Sequence, residues 1–336
     1  MQYSFFDQTK RLTKISRIGD VLEQLNAIVK WHIFVPILNM AIPREKSEKG
    51  GRPPFDNLLM FKVLVIKRLY NLSHEQTEYQ INDRLSFMRF LGFDFGSTVP
   101  DANTIWLYEE MLAKSEAGKD LFNKFFEAIK EQGYITRTGS IVDASFVEAP
   151  KRKNTKEQRE KTKKGEIPEE WSDSEHPQKL MQRDTDATWT VKGKEAHFGY
   201  KDNVKVDLDS KLIVDYRVTT ASTNDIKGAE GLFDENDNIA YGDSAYPNME
   251  LPESVVNMIC EKGNRNHPLT EEQKQRNHEK AKLRCRVEHV FAGMVQMTGG
   301  TEIRCKNGNR AEFNISMLNL LYNMRRVVSL NRMQPV

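Results

Sequence analysis

The stretch Gly139-Ser140-Ile141-Val142-Asp143-Ala144-Ser145-Phe146 constrains this chain more than any other. Its apolar residues predict a short buried strand, and that strand carries one bare carboxylate, Asp143. An ionised Asp in a buried strand is costly unless it is paired or binds a metal. A satisfied core carboxylate and a metal ligand are the two readings of Asp143. The rest of the chain bears on the choice.

Upstream of the strand the pattern is helical. Residues 1–45 are amphipathic, with Ile18, Val21, Leu22, Leu25 and Ile28 at helical spacing. Lys46 to Pro54 is a polar linker containing Gly50, Gly51, Pro53 and Pro54. Asp56 suits the cap of a helix from Asn57 to about Tyr70, and Ser73 with Gln76 forms a capping-box pattern for the next, to about Arg84. An apolar segment, Phe87 to Leu91, stops at Gly92. Pro100-Asp101 opens a helix carrying Trp106, and another runs from Ala117 to about Gln132, before Gly133. Residues 1–133 therefore read as an all-α N-terminal region. It fits helix-turn-helix reading of DNA and plain helical packing equally, and no recognition helix stands out.

From Thr136 the texture turns to strands. After Ile141–Phe146 comes a charged insertion near 151–183, rich in Lys and Arg from Lys151 onward. It reads as mobile, either a solvated loop or a DNA-backbone contact. The segment from Asp184 through Trp189 leads into a second strand ending near Asp207. A turn at Asp209-Ser210 gives a third strand, Leu212–Thr219. Asn224 or Asp225 caps a helix to about Leu232. Asn238–Tyr241 is a fourth strand, a short helix occupies Glu253 to about Val256, and Asn257–Cys260 is a fifth strand. A long helix covers Glu272–Val295, and a final apolar helix, Ala311–Val328, packs on the outside. That order predicts an α/β, ribonuclease-H-like mixed five-stranded sheet with flanking helices over residues 134–336, by analogy of fold.

The layout brings two more acids toward Asp143. Asp243 follows the fourth strand. On the long helix, Leu283, Val287, Val290, Phe291 and Met294 form the buried stripe, and Arg284 and Glu288 share its border. Singly, Asp243 also fits a turn, and Arg284–Glu288 an ordinary helix ion pair. Together the three carboxylates suit hard divalent ions that position phosphodiester oxygens. Cys260, Cys285 and Cys305 lack metal spacing, no Gly-rich phosphate loop is present, and His197 reads as a strand histidine. A net charge of +2 leaves nucleic acid open as a partner, because local patches matter more than the total. Three reduced cysteines, no signal pattern and no apolar run long enough for a bilayer point to a cytoplasmic protein without a membrane role.

Several motifs then carry a family resemblance. They are Gly51-Arg52-Pro53-Pro54-Phe55, Pro100-Asp101 with Thr104-Ile105-Trp106, Val142-Asp143-Ala144, and Asp186-Ala187 with Trp189. To these are added His197-Phe198-Gly199-Tyr200-Lys201, Tyr241-Gly242-Asp243-Ser244-Ala245-Tyr246, and Arg284 to Glu288-His289-Val290-Phe291. In them the chain resembles bacterial insertion-sequence transposases of the Asp-Asp-Glu class, specifically the insertion-sequence-five group. The resemblance implies Asp143, Asp243 and Glu288 as catalytic and metal-binding residues, with Mg²⁺ as cofactor and Mn²⁺ able to substitute. It implies double-stranded DNA, both element ends and target, as partner, and a homodimer or larger synaptic complex in a bacterial, nucleoid-associated setting. Lys201, Lys282, Arg284 and Arg286 are the phosphate-contact candidates, and Trp189 is a base-stacking one. Ala281 stands where related transposases carry Tyr, and no Lys follows Glu288 in that helix turn, so those auxiliary roles are not assigned. Two other readings stay open: a transposase-derived DNA-binding protein without catalysis, and a purely hydrolytic DNA nuclease.

Overall fold

The computed structural model describes residues 5–43, 53–152, 155–163, 166–171, 180 and 182–333. The chain divides into two compact units. One comprises Met1–Glu131, Met297–Gly299 and Ser316–Val336; the other comprises Gln132–Gln296 and Gly300–Ile315.

The first unit is helical: α1 (Phe5–Ile18), α2 (Val21–Ile28), a 3₁₀ turn (Trp31–Phe34), α3 (Val35–Ala41), α4 (Asn57–Leu69), α5 (His74–Asp83), α6 (Leu85–Leu91), α7 (Ala102–Lys114) and α8 (Ala117–Glu131). The caps lie where the side chains dictate. Asp56 accepts from the Leu59 N–H, Asp101 from the Thr104 N–H, and Ser73 with Gln76 closes a capping box. Residues 5–28 do not form one helix. Gly19 adopts φ +105°, Asp20 caps α2, and Ile18 is exposed, so the apolar spacing spans two helices. Most of the linker, residues 44–52, lies outside the described residues, and Gly51-Arg52 with it. Phe34, Phe61, Phe90 and Trp31 form an aromatic centre, with Phe34 and Phe61 ring centroids 5.1 Å apart. Beside it, Glu109 meets Lys67 at 2.9 Å and His74 at 2.6 Å. Burial opposes the Glu109 charge, but those two partners prevail and hold its carboxyl down to about 2.

The second unit holds β1 (Ser140–Glu148), α9 (Lys156–Lys163), a 3₁₀ turn (Glu169–Trp171), β2 (Thr188–Lys192), β3 (Glu195–Asp207), β4 (Ile213–Thr220), α10 (Asp225–Ala229), β5 (Ile239–Tyr241), β6 (Val256–Asn257), α11 (Glu271–Arg284) and α12 (Arg286–Thr298). The final helix, α13 (Gly308–Met333), begins here. The sheet is mixed. β1 lies between β3, antiparallel, and β5, parallel; β6 extends the β5 side, and β2 and β4 pair the other edge of β3. This is a ribonuclease-H-like sheet with flanking helices and one strand more than the sequence suggested.

The extra strand is β2. Gly193 at φ +65° turns the chain, so Thr188–Lys192 folds back on Glu195–Gly199 as a hairpin instead of running into β3. At its base, Gly199 is indispensable: a Cβ there would lie 2.1 Å from the Val147 carbonyl oxygen. Three other expectations are corrected. Residues 253–254 form a turn, not a helix, and the edge strand is the two-residue β6. The long helix breaks at Cys285 into α11 and α12. Finally, α13 is not an outer helix: residues 315–324 are all buried, the mark of a helix enclosed on every side. The charged insertion also holds local order. Thr155 and Gln158 cap α9 reciprocally, and Trp171 is buried under the Arg183 guanidinium. Residues 153–154, 164–165, 172–179 and 181, including Lys153 and Lys164, lie outside the described residues.

Candidate active site

Strand register builds the site. In the parallel pair, Ile141 sits opposite Tyr241. Two residues further on, each strand presents a carboxylate on the same side: Asp143 from β1, and Asp243 just beyond β5. The apolar layer beneath consists of Val142, Ala240, Tyr246 and Ile259. Tyr241 and Gly242 are buried, whereas Asp243 is only partly so, since the chain leaves the sheet there. Asp243 Oδ1 accepts from the Ala245 N–H at 2.7 Å, fixing the turn that the Gly-Asp-Ser sequence favours. The turn and the ligand readings of Asp243 are therefore compatible.

Asp143 is mostly buried, its side chain 18% exposed. Burial first, and the nearby Asp243 charge next, push its carboxyl up to about 6. The Ala144 N–H, 2.8 Å from Oδ1, and the Arg284 guanidinium pull the other way without winning. A buried carboxylate facing a second one is a place where a cation is favoured.

Glu288 comes from the first turn of α12 and is 60% exposed. It does not touch the aspartates directly. Arg284, the last residue of α11, stands between: Nη1 donates to Asp143 Oδ2 and Nη2 to Glu288 Oε1, each at 3.2 Å. Among the described residues, no group of three or more His, Cys, Asp or Glu is gathered closely enough to hold one ion. The donor set nevertheless fits a hard divalent cation in its chemistry: all oxygen, two acids from adjacent strand ends, and an exposed third joined to Asp143 through Arg284.

The remaining candidates divide. Lys282 is exposed on α11. Arg286 donates from Nη1 to the Leu208 carbonyl and to Asp209, so it anchors α12. Lys201 is buried, and its ammonium is engaged by the Thr223 carbonyl at 2.6 Å and Asp225 at 2.7 Å. A phosphate reaching it would have to replace those partners. Trp189 is 38% exposed on β2, tilted against Phe198 at 5.1 Å with Lys151 over its ring. It lines a cavity of about 140 Å³ with Arg152, Trp171 and Arg183. His197 is a strand histidine, stacked on Phe146 at 4.3 Å and 2.7 Å from Glu148.

Two residues at the site were given no role from the sequence. Tyr246 is buried, and its hydroxyl has no hydrogen-bond partner among the described residues; burial and the charges of Asp143, Asp225 and Asp243 raise its phenol strongly. Its place three residues after Asp243 was the available signal. Lys192, at the hairpin tip, acts on Asp143 and lies 5.7 Å over the Phe146 ring. Only the fold of the hairpin brings it there.

No single helix among the described residues is long and apolar enough to cross a membrane. Residues 135–324 match the family model described as Transposase DDE domain, and residues 10–110 the one described as Transposase domain (DUF772). No solved structure matches the chain. The first model covers more than half of the sequence. The chain belongs to the insertion-sequence transposases of the DDE class.

Proposed function

We propose that this transposase cleaves the ends of an insertion sequence and joins the freed 3′-hydroxyl to target DNA, with Asp143, Asp243 and Glu288 as its catalytic carboxylates. The observation that carries the reading is the parallel register, which brings Asp143 and Asp243 to the same side of adjacent strand ends. Mg²⁺, with Mn²⁺ as substitute, would be held by these three side chains, and would neutralise phosphate charge and activate the attacking oxygen. Asp143 comes from β1, and Asp243 from the hydrogen-bonded turn just beyond β5, so both have a fixed backbone origin. Glu288 supplies the adjustable third group from the helix border, where substrate also reaches. Lys282 and Trp189 are exposed for the strand, one toward phosphate and one toward an unpaired base. The same chemistry serves both steps, water attacking first and the 3′-hydroxyl second.

The helical unit is assigned to end binding or assembly, with a dimer or larger complex joining two ends. The insertion-sequence-five group and a bacterial, nucleoid-associated cytoplasmic setting belong to the same reading. Its support is the resemblance of Tyr241 to Tyr246 and of Arg284 to Phe291.

The test is a cleavage and joining assay on labelled DNA carrying the repeats that flank the gene. It compares Mg²⁺, Mn²⁺ and EDTA, for wild type and Glu288→Gln. Metal-dependent nicks at the repeat ends and joined products, both lost in the variant, are expected. Nicks that never give joined products would make the protein a hydrolytic nuclease. Binding without cutting in either metal would leave a DNA-binding protein derived from a transposase.

A further inference from the structure

Arg284 does more than decorate a helix border. Its two terminal nitrogens are shared between two of the three carboxylates, one hydrogen bond each. Both bonds are 3.2 Å long, whereas well-seated charge-assisted bonds run to about 2.7–2.9 Å. The guanidinium is thus held by two weak contacts and not by a bidentate clamp. It is also reachable, with its side chain 22% exposed and that of Glu288 60% exposed. Arg284 ends α11, Cys285 breaks the helix, and Glu288 begins α12 with its N–H on the Cys285 carbonyl.

We propose that Arg284 is a displaceable internal cation that holds Asp143 and Glu288 against divalent-ion binding until DNA phosphate draws it away. The proposal rests on the carboxylate assignment above and adds a coupling to it. An ion that takes Asp143 Oδ2 and Glu288 Oε1 displaces both Arg284 contacts, and the guanidinium charge opposes an ion anywhere between the two carboxylates. The released guanidinium then needs an anion, and a DNA phosphate next to the site supplies one. DNA and divalent ion therefore bind with positive cooperativity, and each raises the affinity of the other by the same factor. Free protein stays poorly loaded, which limits cutting in the absence of a bound end.

The experiment measures Mn²⁺ binding directly, by calorimetry and by the electron paramagnetic resonance signal of free Mn²⁺, without turnover. It uses the full chain as wild type, Arg284→Gln and Arg284→Lys, alone and with a pre-cleaved end duplex and no target DNA. Without DNA, Arg284→Gln should bind Mn²⁺ about tenfold more tightly than wild type, within the usual range of such couplings. The duplex should tighten Mn²⁺ binding to wild type by about the same factor, and binding to Arg284→Gln hardly at all. Arg284→Lys, which keeps the charge but cannot bridge two acids as a planar fork, should fall between. Circular dichroism and melting in EDTA establish that each variant is folded; if Arg284→Gln is not, the Lys variant alone decides by its position relative to wild type. Equal or weaker Mn²⁺ binding by the folded variants, or a duplex effect undiminished by the substitution, would overturn the proposal while leaving the metal site intact. Wild type that binds no Mn²⁺ even with duplex would instead overturn the metal assignment itself, and the proposal with it.

Discussion

Asp143→Asn separates stability from function at this site. Moving a carboxyl from its ordinary 3.8 to about 6 disfavours its ionised form by about 3 kcal/mol. At pH 8 the folded wild type therefore carries that strain, and the unfolded chain does not. Asparagine keeps an oxygen for the Ala144 N–H but has no charge to desolvate or to oppose Asp243. The net shift already includes the opposing attraction of Arg284, so the variant should gain most of it. For a unit of this size, about 2–4 °C accompanies each kcal/mol, so a rise of about 5–10 °C in the melting of the second unit is expected in EDTA. The sign with pH follows from the raised value. The ionised form is disfavoured fully above pH 6, so the gap between variant and wild type is largest there. It should narrow as the pH falls from 6 toward 3.8 and vanish below that, where the carboxyl is protonated in both states. Mn²⁺ should then reverse the ranking, stabilising wild type by mass action and the variant little. DNA cleavage should be lost in the variant at every pH. Calorimetry across pH 4–8, with and without metal, checks each part. A variant that melts at or below wild type at pH 8 would refute the electrostatic account of Asp143. Cleavage retained under Mg²⁺ would refute its catalytic role.

In the helical unit, Glu109→Gln leaves Lys67 and His74 without their carboxylate and should cost about 3 kcal/mol in urea unfolding at pH 7. Because the wild-type carboxyl is held down to about 2, its contribution is complete above about 4.5 and disappears as pH falls toward 2; a deficit unchanged at pH 2.5 would contradict that. Gly199→Ala places a Cβ against the Val147 carbonyl oxygen and should cost about 2–4 kcal/mol, read as a lower midpoint of the second unit; a neutral outcome would mean that the β1–β3 pairing yields easily there. Tyr246→Phe removes a buried hydroxyl with no partner among the described residues, so thermal stability should hold or rise by up to about 1 kcal/mol; a clear drop would reveal a partner for that oxygen.

Local chemistry wrote much of this protein into its sequence. The caps at Asp56, Ser73 and Asp101 depend on one side chain and the next turn's N–H groups, so each was readable from a few residues. The same holds for the strand around Asp143 and the turn at Asp243, whose residue types leave few alternatives. The order of strands and helices, with the spacing of three acids, was enough to suggest a ribonuclease-H-like sheet. What local pattern could not convey is everything that depends on the partner of a side chain. Apolar spacing from Ile18 to Ile28 looks continuous, yet Gly19 and Asp20 split it, and Ile18 faces solvent. The Thr188–Lys192 hairpin turns at Gly193, and the long helix breaks at Cys285, where the apolar and charged pattern runs on without interruption. Lys201 looks like a free cation until the fold brings Asp225 and the Thr223 carbonyl to its ammonium. The sequence by itself determined which acids were available and on which elements. Only the tertiary structure decided that the Asp243 charge bears on a buried Asp143 while Arg284 stands between Asp143 and Glu288, because charge interactions are set by distance and burial across strands far apart in the chain.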